Sequence, residues 1–290
     1  MIPSRSATFT RPLHYLTLVC YLVFLAFPLV FLFLFAFKSQ REVLSPNPSF
    51  LPESFGWDNF AAAIRKTRLF VSARNSLIVA ASTTAIVVVI SLPAAYALAR
   101  FRTKLRGIAT GWILVSQIFP FILIIIPLFI LLRDIGSTGL FGIRLQLIDT
   151  LQGLVVVYTV WGLPFALWML RGYIAAIPRD LEDAASIDGA SRLRILRSVV
   201  LPLLAPGLVA TSLFTFIGSW NEFFFALVLI QNPERQTLPL TLVRFVGAEG
   251  QVQLGQLAAG SLLSTIPSLV FFAFIQRRLT SGLLSGAVKG

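Results

Sequence analysis

The sequence predicts an all-α, polytopic membrane protein with six transmembrane helices, and three observations lead there. The 290-residue chain is 57% hydrophobic and only 12% charged, where a soluble domain carries about 25% charged residues. Its mean hydropathy is +0.85. Crossing the ~30 Å hydrocarbon layer takes about 20 mainly apolar residues, and six runs are long enough: Tyr15–Phe37, Ser76–Ala99, Ile108–Leu132, Leu151–Leu170, Gly207–Ile230 and Leu257–Ile275. Glu222 interrupts the fifth; the others contain no Asp, Glu, Lys or Arg.

The first run exceeds the about 7–15 residues of a cleavable signal, and Phe35-Ala36-Phe37 is a poor cleavage site, so it reads as a retained span. Prolines 93, 120, 127, 164 and 267 fall inside or beside later spans. Each removes a backbone donor and bends its helix, which suits a bundle that encloses a cavity. Between the first two spans, Phe55, Trp57, Phe60, Ile64 and Phe70 alternate with charges over Leu51–Arg74, as in a helix lying at the membrane surface.

The formal charge of +12 does not imply nucleic acid, because the basic residues lie in short tracts bordering the spans rather than on one soluble module. Arg100–Arg106 holds four basic residues against two in Arg133–Thr150. Lys and Arg favour the cytoplasmic side, which places both termini in the cytoplasm of a bacterial or archaeal cell membrane, in contact with lipid. The layout is then a tail, 1–14, a membrane domain, 15–280, and a second tail, 281–290. Cys20 and His14 are each the only residue of their type, which excludes a disulfide framework and a histidine-rich metal site. No set of nucleophile, base and metal ligands suggests a membrane-embedded enzyme, so no catalytic or metal residue is assigned.

The loop 177–206 is charged and helix-forming, between two apolar spans. Pro178 suits the first helical position. Asp180, Glu182 and Asp183 then stand near the positive end of the helix dipole, with Leu181, Ala184, Ala185 and Ile187 as a partly apolar face. Gly189 stops this helix. Leu193, Leu196 and Val200 pattern a second, covered by Arg192, Arg194 and Arg197 and closed by Pro202 and Pro206. Spacing alone leaves two readings: a helix pair resting on lipid phosphates, or a coupling helix seated on a cytoplasmic partner.

Asp183-Ala184-Ala185, Gly189 four positions on, and Val199-Val200-Leu201-Pro202 after nine more residues resemble the EAA loop of permease subunits in binding-protein-dependent ABC importers. That pattern is E-A-A, three residues, G, nine residues, I-x-L-P. Asp183 replaces Glu and Val199 replaces Ile. Asn75-Ser76, Trp220-Asn221-Glu222, Thr237-Leu238-Pro239 and the ending Ser285–Gly290 are similar to the carbohydrate-uptake branch, in its MalG-type half. The resemblance implies that Glu182, Asp183, Ala184, Ala185, Asp188, Gly189, Leu201 and Pro202 form a contact with an ATPase. There the family's acid pairs with a basic residue, and Glu182 shares or replaces the role of the shorter Asp183. It also implies a second, MalF-type permease, a dimer of ABC ATPase subunits, an extracytoplasmic substrate-binding protein, and a tail contact from Ser281–Gly290.

Lys38, Lys66, Lys104 and Lys289 have no glycine before them, so the chain lacks a P-loop. It is expected to carry no cofactor, with ATP and Mg held by the partners. An ionisable residue inside a span is a functional candidate; a continuous helix from Gly207 would carry Glu222 about 22 Å, towards the outer mouth. Trp220 offers an apolar face to a sugar ring, and Asn221, Glu222 and Gln117 offer hydrogen bonds. The alternative is interhelical bonding of Asn221 and Glu222 to Gln117 or Ser116. The reading that results is an ATP-driven importer half carrying a sugar; the other class is an ion-coupled secondary transporter, which calls for several intramembrane charges. Gly189→Pro or Asp183→Lys is expected to abolish uptake while the protein stays in the membrane, measured as labelled-sugar accumulation beside membrane immunoblots.

Overall fold

The computed structural model describes residues 6–47, 49–101, 105–139, 144–246 and 253–287. Arg5, Arg102, Lys104 and the last three residues of the proposed tail contact lie outside the described residues. Every regular element among those described is helical. Four helices are long and apolar enough to cross a membrane: His14–Ala36, Leu69–Arg100, Leu151–Ala176 and Leu254–Ala273. A fifth crossing is available if Arg192–Leu203 and Ala205–Trp220, which meet at 75°, count as one.

Two expected spans are not continuous helices. The third divides into α5 (Leu105–Ile118) and α6 (Ile125–Ser137), separated by a 3-10 turn at Phe121–Leu123. Pro120 takes an extended backbone there (φ −62°, ψ 113°). It lacks the N–H that a continuing helix needs and pushes Phe119 out of the helical region. The fifth ends as α11 (Ala205–Trp220) and resumes as α12 (Phe224–Leu229). The surface segment also differs: only α3 (Asp58–Lys66) is helical before α4 (Leu69–Arg100) begins.

The chain forms two compact units. One comprises residues 1–69 and 242–265. In it α1 (Ser6–Ala36) is closed by Asn59, whose Nδ2 donates to the carbonyls of Ala36 (2.9 Å) and Lys38 (2.8 Å). Those carbonyls would otherwise be orphans of a helix end. α14 (Leu254–Ala287) approaches so closely that a Cβ on Gly255 would lie 2.5 Å from Asn59 Nδ2. Phe37 meets Phe55, Trp57 and Phe60 within 5.5 Å between ring centres, while Phe55, Trp57 and Phe70 of the surface segment stay largely exposed. α2 (Gln40–Val43) starts with a reciprocal cap: Ser39 Oγ accepts from Glu42 N, and Glu42 Oε2 accepts from Ser39 N at 2.7 Å.

The other unit comprises residues 70–241 and 266–290. At the start of α4, Asn75 Nδ2 donates to the carbonyls of Glu234 (2.8 Å) and Gln236 (3.1 Å), while Ser76 Oγ accepts from Leu238 N at 2.7 Å. Ser72 and Thr241 share a hydroxyl contact at 2.6 Å. Two motifs 160 residues apart in sequence, Asn75-Ser76 and Thr237-Leu238-Pro239, are therefore one latch. α7 (Leu151–Ala176) begins at Thr150, whose Oγ1 accepts from Gly153 N at 3.1 Å. Asp149 before it has φ +55° and holds the chain beyond α12: Oδ1 accepts from Gln231 N (3.0 Å) and Asn232 N (2.8 Å). A buried cluster including Val79, Leu154, Tyr158, Phe225 and Leu229 lies along this end. A second one, with Ala95, Ala99, Leu170, Ile174, Ile177, Ile195, Val200 and Leu204, lies along the other. At Gly207 a Cβ would stand 2.5 Å from the Tyr173 ring, so α7 and α11 touch backbone to ring.

Two predictions follow from these contacts. A Cβ at Gly153 would sit 1.8 Å from the Leu147 carbonyl oxygen, a backbone atom that has no rotamer to move. Gly153→Ala is expected to cost about 3 kcal/mol or more, seen as a severalfold loss of monodisperse protein after extraction in detergent. Glu42 is held below the ordinary carboxylate range, chiefly by the N–H of Glu53 and next by that of Ser39. Its contribution to stability is complete above the ordinary carboxylate pKa and fades as pH falls through the lowered folded value. The protection factors of the Ser39 and Glu53 amides, with the intrinsic pH dependence of exchange divided out, should hold at neutral pH and fall only below the ordinary carboxylate range.

Candidate functional site

The loop after α7 folds as the expected pair of helices. α8 (Asp180–Ile187) starts with Arg179 as its N-cap, so Pro178 stands outside the helix rather than at its first position. Asp180, Glu182 and Asp183 occupy its first turn. Gly189 adopts φ +79°. Ala190 N donates to Ala185 O (3.0 Å) and Gly189 N to Ser186 O (3.1 Å), the paired bonds of a Schellman stop that a left-handed glycine permits. Ser191 Oγ accepts from Arg194 N to open α9 (Arg192–Ile195). The helix then widens into a π turn over Leu196–Val200, tightens as α10 (Leu201–Leu203) and bends by 75° into α11. Pro202 and Pro206 give no N–H to the carbonyls four residues before them, which loosens the ladder where the turn and the bend occur.

The two neighbouring acids of α8 point in opposite directions. Glu182 is buried: Oε1 accepts from Arg100 Nε at 2.6 Å and Oε2 from the Tyr96 hydroxyl at 2.8 Å. Both charged side chains of that ion pair are about nine-tenths buried, with relative exposures of 9% and 10%. Arg100 also donates from NH2 to the Ile177 carbonyl at 2.9 Å, and Arg179 donates to Ala99 O at 3.3 Å. The Arg192 guanidinium lies 4.8 Å from the centre of the Phe101 ring. Glu182 is thus buried and bonded within its own chain, while Asp183 beside it is exposed. Asp183, Ala184, Asp188 and Gly189 are exposed, together with Ile187 at 88% and Leu193 at 56%. Leu201 is half-buried and Pro202 exposed, while Val200 and Leu204 beside them are the buried anchors; Ala185 is half-buried on the same cluster.

Arg100 and Tyr96 were missing from the residues singled out in the sequence. Arg100 carries an orientation signal at the end of an apolar run, which hides its pairing. Their spacing of four places both on one helix face, and that was the available sign.

The residues considered for a cargo path are not brought to one place. Trp220 is buried, 5.9 Å from the Phe216 ring and stacked on it, and Phe216 stacks in turn on Phe271 at 4.0 Å. Asn221 is exposed and donates to Ile217 O at 3.0 Å, closing α11. Glu222 lies in the break rather than in a helix. Its Oε1 accepts from Phe225 N (2.8 Å), and its Oε2 from Ala226 N (3.2 Å) and the Tyr158 hydroxyl (2.5 Å). The carboxylate caps α12 and ties it to α7, in place of the expected bonds to Gln117 or Ser116; Ser116 instead donates to Ile113 O. The Glu222 cap stabilises the break, since it satisfies two N–H groups that a continuous helix would have paired internally; Asn221 adds a second donor to the Ile217 carbonyl, which its own backbone N–H already bonds. Gln117 is exposed and lines a cavity of about 820 Å³ with Trp112, Ser116, Phe119 and Trp161. Glu222 lines a smaller one, about 180 Å³, with Tyr158, Trp161, Thr215 and Ser219. Among the described residues, no three His, Cys, Asp or Glu come together as a metal site would require.

Comparison with known proteins agrees with this architecture. Residues 87–285 match the family described as "Binding-protein-dependent transport system inner membrane component". The chain is 56% identical over 231 residues to the ORF1 protein of Streptomyces antibioticus, covering 80% of this chain and 96% of that one. It is 37% identical over 287 residues to the diacetylchitobiose uptake system permease protein DasC of Streptomyces coelicolor, covering 99% and 100%. Identity to the trehalose transport system permease protein SugB of Mycobacterium tuberculosis is 35% over 264 residues, covering 91% and 92%. The fold is shared with a chain in the crystal structure of a bacterial ABC transporter involved in the import of the acidic polysaccharide alginate. The TM-score there is 0.74 at 23% identity, over 96% of this chain and 99% of that one. A multi-pass helical protein with this match over most of its length belongs to the family of inner-membrane components of binding-protein-dependent transport systems.

Proposed function

We propose that this chain is one permease half of an ATP-driven importer for a sugar, with a mono-, di- or oligosaccharide or related polyol as cargo. The observation that carries the reading is its identity to two permeases named for diacetylchitobiose uptake and trehalose transport, 37% and 35% over 99% and 91% of this chain. The membrane domain has six crossings in this reading. α1, α4, α7 and α14 cross as unbroken helices; the α5–α6 and α11–α12 pairs cross as interrupted ones. Both termini and the 177–206 hairpin face the cytoplasm.

A second, MalF-type permease completes the path, and a dimer of ABC ATPase subunits binds ATP and Mg. An extracytoplasmic binding protein delivers the cargo. The ATPase contact is the exposed face of α8: Asp183 is the acid left free to pair with a basic residue, and Ile187 and Leu193 supply apolar surface beside it. That the acid is one methylene shorter than the family's Glu is compatible with its position on the outward side of the helix. Of the residues considered for the path, Gln117 and Glu222 border cavities, with aromatic walls suited to the C–H face of a sugar ring.

The test is uptake by the complete importer in proteoliposomes, with ATP supplied on the ATPase side. Labelled trehalose, maltose and diacetylchitobiose are offered through the binding protein. At least one is expected to accumulate when the proton and sodium gradients are collapsed, and none when ATP is replaced by a non-hydrolysable analogue. Uptake that vanishes with the gradients while ATP remains would identify an ion-coupled secondary transporter instead.

A further inference from the structure

We infer that the buried Arg100–Glu182 pair is a positioning device that makes the hairpin and α4 move as one, so that α4 carries the ATPase stroke to the far side of the protein. This rests on the proposed docking of the hairpin on an ATPase. One guanidinium joins three elements: it belongs to α4, grips the Glu182 carboxylate on α8 at 2.6 Å and caps the Ile177 carbonyl at the end of α7 at 2.9 Å. Tyr96, also on α4, adds a second donor to the same carboxylate at 2.8 Å. Apolar contacts beneath, between Ala95, Ala99, Ile195 and Val200, resist compression but have no preferred direction. A pull or a shear on the hairpin is resisted by the directional bonds.

Burying two charges costs free energy that apolar residues of the same volume would avoid, so the pair is poorly explained by packing alone. Glu182 and Asp183 are consecutive, one turned into the protein and one out of it. A load applied at Asp183 therefore reaches Arg100 through a single peptide unit. α4 then runs as one helix, with Pro93 inside it, from Arg100 back to Asn75, about 37 Å at 1.5 Å per residue. There Asn75 and Ser76 hold Glu234, Gln236 and Leu238 at the opposite end. The helix is tied by polar bonds at both ends, as a pushrod must be.

The experiment measures sugar imported per ATP hydrolysed by the complete importer in proteoliposomes. Arg100→Met/Glu182→Leu removes both charges together and so leaves neither buried alone. It is expected to lower the ratio at least tenfold in assembled complex. Arg100→Lys is read beside it: it keeps the charge but not the planar fork that holds two acceptors at fixed angles, and a severalfold fall is expected. An unchanged ratio in the double variant, or in Arg100→Lys should the double variant fail to assemble, overturns the inference. If the wild-type complex shows no ATP-driven uptake, it is the importer reading that falls. A working wild type with fully coupled variants sinks the pushrod alone.

Discussion

Inside a hydrocarbon layer an unpaired backbone N–H or C=O has no water to turn to, and each one costs several kcal/mol. That constraint governs where these helices are allowed to stop. Among the described residues, Asn59 at the end of α1, Glu222 at the start of α12 and Thr150 at the start of α7 stand in for missing helical partners, whereas the break between α5 and α6 has no side-chain cap. Glu222 shows the exchange most clearly. Its carboxylate accepts three hydrogen bonds, two from the backbone of α12 and one from Tyr158, so the acid is the reason that the half-helix exists and stays against α7.

Hydropathy made four candidate spans legible, and prolines within them do not end the helices: Pro93, Pro164 and Pro267 sit inside α4, α7 and α14. The third and fifth spans look the same by composition, yet both break. Pro120 opens a 3-10 turn where Pro93 stays inside α4, and the Glu222 carboxylate that caps α12 also accepts from the hydroxyl of Tyr158, 64 residues away. Such information lies in the packing, not in any window of the chain. For the same reason the bonds of Glu222 to Tyr158 and to the backbone of α12 come into view only with the fold.

The hairpin was legible to a finer grain. Gly189 and Ser191 punctuate it through strictly local geometry, which is why its turn and second helix start where the residues say, whereas Pro178 stands outside the first helix. What the pattern could not convey is the direction in which each acid of α8 points. Glu182 and Asp183 are alike in chemistry; only Arg100, 82 residues upstream, tells the inward one from the outward one. The ion pair explains how the hairpin is fastened.

The 75° corner between α10 and α11 has a mechanical consequence of its own. A displacement along the axis of one helix projects mostly across the axis of the next when they meet at so wide an angle. In the proposed importer, movement of the hairpin is thereby converted into sideways tilt of the following helix, with little travel along its length, so that such a joint swings rather than slides like a piston.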